Sequence, residues 1–381
     1  MDKKVVLVNW GDIFSVPPVI NLCKCLLNNG YRVHLISENV NKLPKEILNN
    51  KLLTYDNIPR FEGQDLPTRV RRRFVGGIEY RKCLRGSISK EDILWTTSDA
   101  TVRILGNEVL KYRHVLQMME LAQRTPLFKD AKLLTFPIEK YARRAWKTVV
   151  PERNRAYLER IWWGLEKTPY VLPNKPYDVE VGELSVEALE ALEIIKNEKK
   201  KVIIYLGVFA LDRDLSVFAK AINKLGDEYA LYLLGRISSF DDNKKKLDVL
   251  LENYPSAHYL GFYPAPMHLA FLKYAHIGLL PYYVNPTKSY SYQLNALYCA
   301  PNKIFEYAGF GIPMIGTDVL GLREPFERYD IGICCQNFNA DEICAGIKNI
   351  ENRYSAMSEN CRKFYNSVDF DKIVNEILRE E

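Results

Sequence analysis

Within its first forty residues the chain runs from KKVVLVNWG through VPPVINLCKCLLNNG into RVHLIS. A short β-branched run that ends in a polar turn predicts a buried strand. The middle segment carries apolar residues at helical spacing. Pro17 and Pro18 open it, and Asn29-Gly30 closes it as a helix C-cap does. Strand, helix and strand in so few residues form a βαβ unit, and a βαβ unit commits the chain to a parallel sheet covered by helices.

The alternation continues. KLLTY (51–55), DILWTT (92–97), HVLQMME (114–120), AKLLTF (131–136) and KTVV (147–150) read as strands. PERNRAYLERIWWGL (151–165) reads as a helix with Pro151 at its start. YVLPNKP (170–176) is a strand running into a Pro-rich turn. A charged helical segment, LSVEALEALEIIKNEKKK (184–201), precedes a fresh start of the pattern. KVIIYLG, YALYLLG, AHYLG, HIGLLPY, IPMIGT and IGICC then read as strands, and two helices near 340–367 and 369–380 end the chain. With 381 residues, the chain exceeds one ordinary core. The fold class expected is α/β, with two Rossmann-like domains facing across a cleft. Ligands of open parallel sheets bind beyond the carboxyl ends of the strands, which places the expected site in that cleft.

Composition excludes several classes. Apolar residues make up 47% and charged residues 26%, a globular balance rather than a disordered one. The net charge of +6 permits an anionic partner without demanding one. No nucleic-acid-binding motif accompanies the charge, so no nucleic acid is expected. The eight cysteines lack C-x-x-C spacing, so no metal site is expected, and their scatter suits a reducing cytoplasm. No apolar stretch reaches membrane-spanning length. NWGDIFSVPP after the first strand lacks G-x-G-x-x-G, which removes a nicotinamide dehydrogenase.

The segment richest in chemistry is PNKIFEYAGFGIPMIGTD (301–318). Pro301 begins a helix, Gly311-Ile312-Pro313 stops it, and a buried strand follows. The N-terminus of such a helix holds phosphate through its N–H groups and dipole. Asn302 and Lys303 sit in the first turn, and Lys303 adds a point charge. Glu306 lies one turn on, where a carboxylate accepts hydrogen bonds from both hydroxyls of a ribose.

This segment resembles the nucleotide-sugar signature of GT-B glycosyltransferases, most like glycosyltransferase family 4, which includes capsular and exopolysaccharide enzymes. In that family a helix carries two glutamates eight positions apart, before A-x-G-x-P and a strand. The ribose-binding glutamate falls on Glu306. The one that contacts the donor sugar falls on Tyr298. KVIIYLGVFALDRDLSVFAKAI resembles the first strand and phosphate loop of the family's C-terminal domain. Gly207 ends the strand, Val208 stands where the family has Arg, and Arg213 takes the place of its Lys as a diphosphate ligand. LYLLGR resembles the next strand, whose glycine, Gly235, lets the backbone approach the base. The resemblance runs well from about 170 to 335 and more weakly over the N-terminal half.

The resemblance implies residues 1–175 as an acceptor-binding domain, 176–355 as a nucleotide-sugar domain, and 356–381 as helices returning to the first. It implies sugar transfer from a nucleoside-diphosphate donor, retaining and without a metal or other cofactor. The implied acceptor is a saccharide, lipid-linked, at the cytoplasmic membrane face in bacterial surface-polysaccharide assembly. Asp12 and Glu120, read at the ends of N-terminal strands, are candidates to deprotonate an acceptor hydroxyl or steady the reacting sugar. RVRRRFVGGIEYRKCLRG (69–86) holds seven Arg or Lys against one Glu. Arg71, Arg72 and Arg73, with Phe74, Val75 and Ile78 interleaved, suit an anionic membrane or a lipid-diphosphate acceptor. The bland alternative is a solvated loop. Two rivals share the architecture: a sugar-nucleotide 2-epimerase, and a non-catalytic nucleotide-sugar-binding partner of another transferase.

Overall fold

The β-branched runs and the helices between them assemble as two separate parallel sheets. The structure, a computed structural model, describes residues 3–59, 63, 65, 68, 71–126, 135–209, 214–238 and 242–380. Two compact units divide the chain: Met1–Tyr177 with Asp369–Glu381, and Asp178–Val368.

In the first unit the elements are β1 (Lys4–Asp12), α1 (Pro17–Asn28), β2 (Arg32–Glu38), β3 (Leu53–Ile58), α2 (Gly77–Ser87), β4 (Ile93–Thr97), α3 (Ser98–Leu105) and β5 (Arg113–Gln117). The short pair β6 (Thr125–Pro126) and β7 (Thr135–Phe136), β8 (Lys147–Val150), α4 (Arg153–Trp163) and β9 (Tyr170–Val171) follow. The main sheet runs β3-β2-β1-β4-β5-β8-β9. Its ladders are parallel throughout, while β6 and β7 pair antiparallel outside it. The central strands β1, β4 and β5 are largely buried on both faces, as a helix-covered parallel sheet requires, while the edge strand β3 is largely exposed. Two expected strands differ. β5 ends at Gln117, short of Glu120, and of 131–136 only Thr135–Phe136 is described, in the antiparallel pair.

The second unit repeats the plan. It contains α5 (Val186–Lys196), β10 (Lys201–Leu206), α6 (Ser216–Lys224), β11 (Tyr229–Leu234), α7 (Asn243–Asn253), β12 (Ala257–Gly261), a 3-10 helix (Met267–Tyr274) and β13 (Ile277–Leu280). α8 (Tyr290–Leu297), α9 (Asn302–Gly309), β14 (Met314–Thr317), α10 (Leu320–Tyr329), β15 (Gly332–Cys335), α11 (Ala340–Asn352) and α12 (Tyr354–Asn366) complete it. The sheet order is β12-β11-β10-β13-β14-β15, again parallel. This is the doubly wound order of Rossmann sheets, with its direction reversing between β10 and β13. The expected helix 340–367 is two helices. The chain bends at Arg353 (φ −126°, ψ 15°), so α11 packs on α6 and α12 packs on α9.

α13 (Phe370–Ile377) belongs to the first unit, where it packs on α1. Asn29 donates to Asp371 at 2.5 Å, and the Tyr177 and Phe370 rings meet edge to face at 6.1 Å. The chain thus leaves and re-enters that unit at neighbouring points.

Polar side chains at the carboxyl ends of β1, β2 and β4 close a buried network. The Tyr80 hydroxyl donates to Asn9 O at 2.9 Å and accepts the Gly11 N–H at 3.2 Å. Asn9 donates to Ser37 Oγ at 3.1 Å, and Thr97 donates to Asn9 Oδ1 at 2.9 Å. Buried polar groups are tolerated when partnered in this way. Replacing Tyr80 by Phe leaves both the Asn9 carbonyl and the Gly11 N–H short of a partner. The expected cost is about 1–3 kcal/mol, read as a lower midpoint in chemical denaturation of the Tyr80→Phe variant.

Candidate functional site

The carboxyl ends of β10 and β13 flank the reversal of strand order in the second unit, and α9 begins close by. α9 follows Pro301, whose extended backbone (φ −72°, ψ 138°) serves as N-cap with no side-chain bond. The first-turn N–H groups of a helix have no intrahelical acceptor, which makes this end suited to an anion.

One phenol anchors the helix. Tyr307 is fully buried, and its hydroxyl accepts the Leu206 N–H at 3.1 Å, at the last residue of β10. Its ring fills the space beside Gly278, where a Cβ would come within 2.4 Å of it. Burial holds the Tyr307 hydroxyl well above its ordinary pKa, so it stays a neutral donor and acceptor. Phe305 stacks on Phe364 of α12 at 4.9 Å. With the helix fixed at both faces, its first-turn side chains have little freedom.

Lys303 is 8% exposed. Its ammonium lies 5.5 Å from the Tyr205 ring centroid and 5.6 Å from that of Tyr282, within cation–π range. It also lies 3.0 Å from where a Cβ on Gly207 would sit. Lys303 and Gly207 are therefore neighbours at the end of β10. The segment after β13 is fixed by a reciprocal pair. Tyr282 N–H donates to Thr317 Oγ1 at 2.9 Å, and the Thr317 hydroxyl donates back to Tyr282 O at 2.5 Å.

Gly207 and Gly235 directly follow the adjacent strands β10 and β11, at φ +148° and +153°. A Cβ on Gly235 would lie 1.6 Å from Gly207 O. No side chain fits between these two backbones. Beyond the pinch the pairing resumes, with Phe209 N–H donating to Arg236 O at 2.9 Å.

Glu306 lies one turn after Lys303 and is 5% exposed. Its Oε1 is 3.2 Å from His268 Nε2, on the 3-10 helix Met267–Tyr274. His268 has no motif around it in PAPMHLAFLKYAH. Only the fold brings it to Glu306, and no signal in the sequence marks it. Asn302 opens α9 and is partly exposed. Tyr298 stands at the C-cap of α8, its N–H bonded to Leu294 O, and is separated from α9 by Cys299–Pro301. Positions 298 and 306 are thus on different helices. Arg213 lies outside the described residues.

In the first unit, Asp12 ends β1 and caps the turn that follows, accepting the Phe14 N–H at 3.1 Å. Glu120 lies three residues past the end of β5, with its side chain 74% exposed and Oε2 3.9 Å from Arg155 Nη1. Arg155 is buried and donates to Met119 O at 2.9 Å. Glu159, a turn further along α4, is fully buried, and desolvation raises its pKa well above the usual range against the opposing pull of Arg155. β4 lies between β1 and β5, so the strand that Asp12 ends and the strand that Glu120 follows run about 10 Å apart. The basic stretch is helical where it is described, a π-helical turn Arg72–Gly76 leading into α2, and not a loop. Arg71 is exposed, as are Phe74, Val75 and Ile78; the side chains of Arg72 and Arg73 lie outside the described residues. Among the described residues, no group of three or more His, Cys, Asp or Glu converges as metal ligands would, and no helix is long and apolar enough to cross a membrane.

The glycine pinch gives a direct test. Gly235→Ala forces backbone displacement at both strand ends and a φ that L-residues avoid. The variant is expected to lose about 3 kcal/mol or more, measured as the shift of its urea midpoint.

Residues 190–366 match the family model described as "Glycosyl transferases group 1", which spans most of the second unit. No curated protein matches the chain at significant sequence similarity. Solved structures do resemble it in fold. A glycosyltransferase from Rickettsia africae superposes with a TM-score of 0.65 at 14% identity, covering 100% of both chains. An Anabaena protein in complex with UDP and glucose gives 0.65 at 11%, over 99% of this chain and 98% of that one. WaaG, a glycosyltransferase involved in lipopolysaccharide biosynthesis, gives 0.61 at 12%, over 99% and 100%. Residues 190–366 thus match a group 1 glycosyl transferase model, and the whole chain shares the two-domain α/β fold, GT-B in architecture, of these solved structures.

Proposed function

We propose that the second unit binds a nucleoside-diphosphate sugar and that the enzyme transfers the sugar to a saccharide acceptor. The observation that carries this is the buried Lys303 ammonium, held beside Gly207 at the first turn of α9 with Glu306 one turn on. A cation beside a helix N-terminus and closely approaching backbone makes this end suited to an anion. In this reading Lys303 and the α9 N-terminus, with Arg213, neutralise the diphosphate as it leaves. That stabilises charge which grows in the transition state. Asn302 adds a donor in the same turn, Glu306 takes the ribose hydroxyls, and the backbones at Gly207 and Gly235 admit the diphosphate and base at close range. Tyr298 faces the donor sugar. These groups supply the positive charge without a metal, and transfer is retaining.

The acceptor is assigned to the first unit, with Asp12 or Glu120 as the group that takes the acceptor proton. The exposed Phe74, Val75 and Ile78 beside Arg71 suit a lipid-diphosphate carrier at an anionic membrane face. WaaG, with its part in lipopolysaccharide biosynthesis, supports a surface-polysaccharide setting by analogy of fold. A second reading, a sugar-nucleotide 2-epimerase, is favoured by Tyr298, where the transferase pattern has a carboxylate. It predicts an epimerised nucleotide sugar in reactions that contain no acceptor.

Thermal melting against UDP, GDP, ADP, TDP and CMP, each with and without EDTA, tests the donor site. A ligand at a hundred times its Kd stabilises the native state by about 2.7 kcal/mol. One nucleoside diphosphate is expected to raise the melting temperature regardless of EDTA, and Glu306→Ala and Arg213→Ala to remove most of the rise. No rise with any nucleotide at millimolar concentration, or full affinity in both variants, sinks the assignment.

A further inference from the structure

A buried carboxylate needs hydrogen-bond donors, and a buried imidazole needs partners for both nitrogens. Glu306 and His268 face each other as an ion-pair contact, and one ring nitrogen is left open. The Glu306 side chain is 6% exposed and that of His268 is 16% exposed, with His268 Nε2 at 3.2 Å from Glu306 Oε1. The other ring nitrogen, Nδ1, is buried and has no hydrogen-bond partner.

This asymmetry selects a tautomer. A proton on Nδ1 would be a buried N–H with nothing to accept it, which native structures rarely tolerate. A proton on Nε2 instead faces the Glu306 carboxylate, with Oε1 3.2 Å away, where opposite charge favours it. The neutral ring is therefore best protonated at Nε2, with Nδ1 as the lone-pair side.

We propose that His268 is a positioning residue for the donor ribose: it holds Glu306 Oε1 through Nε2–H and so presets the carboxylate to accept both hydroxyls of the ribose cis-diol. This rests on the reading of the second unit as a nucleoside-diphosphate site. A glutamate held in one rotamer before the ligand arrives does not have to be ordered on binding. The gain appears only with ligands that carry the diol.

The test compares diol and non-diol forms of one nucleotide. Dissociation constants are measured by calorimetry for UDP, GDP and ADP and for their 2′,3′-dideoxy counterparts. The proteins are the wild type and its Glu306→Gln, His268→Leu, His268→Asn and His268→Gln variants. The wild type is expected to prefer the ribose form of its nucleotide, and Glu306→Gln to lose most of that preference. In His268→Leu and His268→Asn the preference shrinks about five- to tenfold, with dideoxy affinity unchanged. His268→Gln places an amide nitrogen near the Nε2 position and is expected to restore it. If His268→Leu does not fold, the contrast between Asn and Gln decides. Equal weakening of both ligand forms in the His268 variants marks a merely structural residue and overturns the proposal. So does a full diol preference without His268. Failure of the wild type to bind any of the diphosphates overturns the donor site itself, before any His268 variant is measured.

Discussion

The hydroxyl of Tyr307 meets the backbone of β10 at Leu206, and the positions of Lys303 and Glu306 follow from that contact. The bond forms at the last residue of the strand, where the β10–β13 ladder has already ended at Ile204 and Gly278. Leu206 N–H would otherwise face into the core without an acceptor. The phenol satisfies it, and the ring occupies the notch that Gly278 leaves. Because α9 has about 3.6 residues per turn, fixing Tyr307 also fixes Glu306, the residue before it, and Lys303, about one turn towards its start. Lys303 then reaches Gly207 and Glu306 reaches His268, as two consequences of one anchor.

The two units share a strand order near their centres and differ in how they finish their strands. In the second unit a glycine follows each of β10 and β11, and the backbone of one closes on the other with no room for a side chain. That leaves main-chain groups within reach of a ligand. In the first unit Asn9 and Ser37, near the carboxyl ends of β1 and β2, and Thr97, the last residue of β4, are tied together and to Tyr80. That end is ordered by side chains bonded to one another. A phosphate calls for close-approaching backbone and positive charge. The first unit offers instead a rigid polar floor beneath the turn at Gly11 and Asp12.

Much of the fold was legible because its signals are local. The first βαβ unit shows its strands by β-branched runs and its helix by Pro17, Pro18 and Gly30. The strands of the second unit were readable for the same reason. Errors arose where the boundary is set by a partner. HVLQMME continues to look apolar past Gln117, but the ladders of β5 with β4 and with β8 both end there, opposite Thr97 and Val149. The break at Arg353 carries neither Gly nor Pro. It exists because α11 and α12 pack against different helices, α6 and α9.

The candidate site divides in the same way. Asn302, Lys303, Glu306, Gly207 and Gly235 stand out in the sequence because a helix start, a helical turn and strand-ending glycines are short-range patterns. Chain order alone therefore determined two successive doubly wound sheets and a phosphate-suited helix in the second. Tertiary structure decided the rest. It brought His268 to Glu306 from 38 residues away, placed the Lys303 ammonium between Tyr205 and Tyr282, and put Tyr298 on a different helix from Glu306. Those contacts join residues on separate elements, and their distances are fixed by how buried surfaces pack rather than by spacing along the chain.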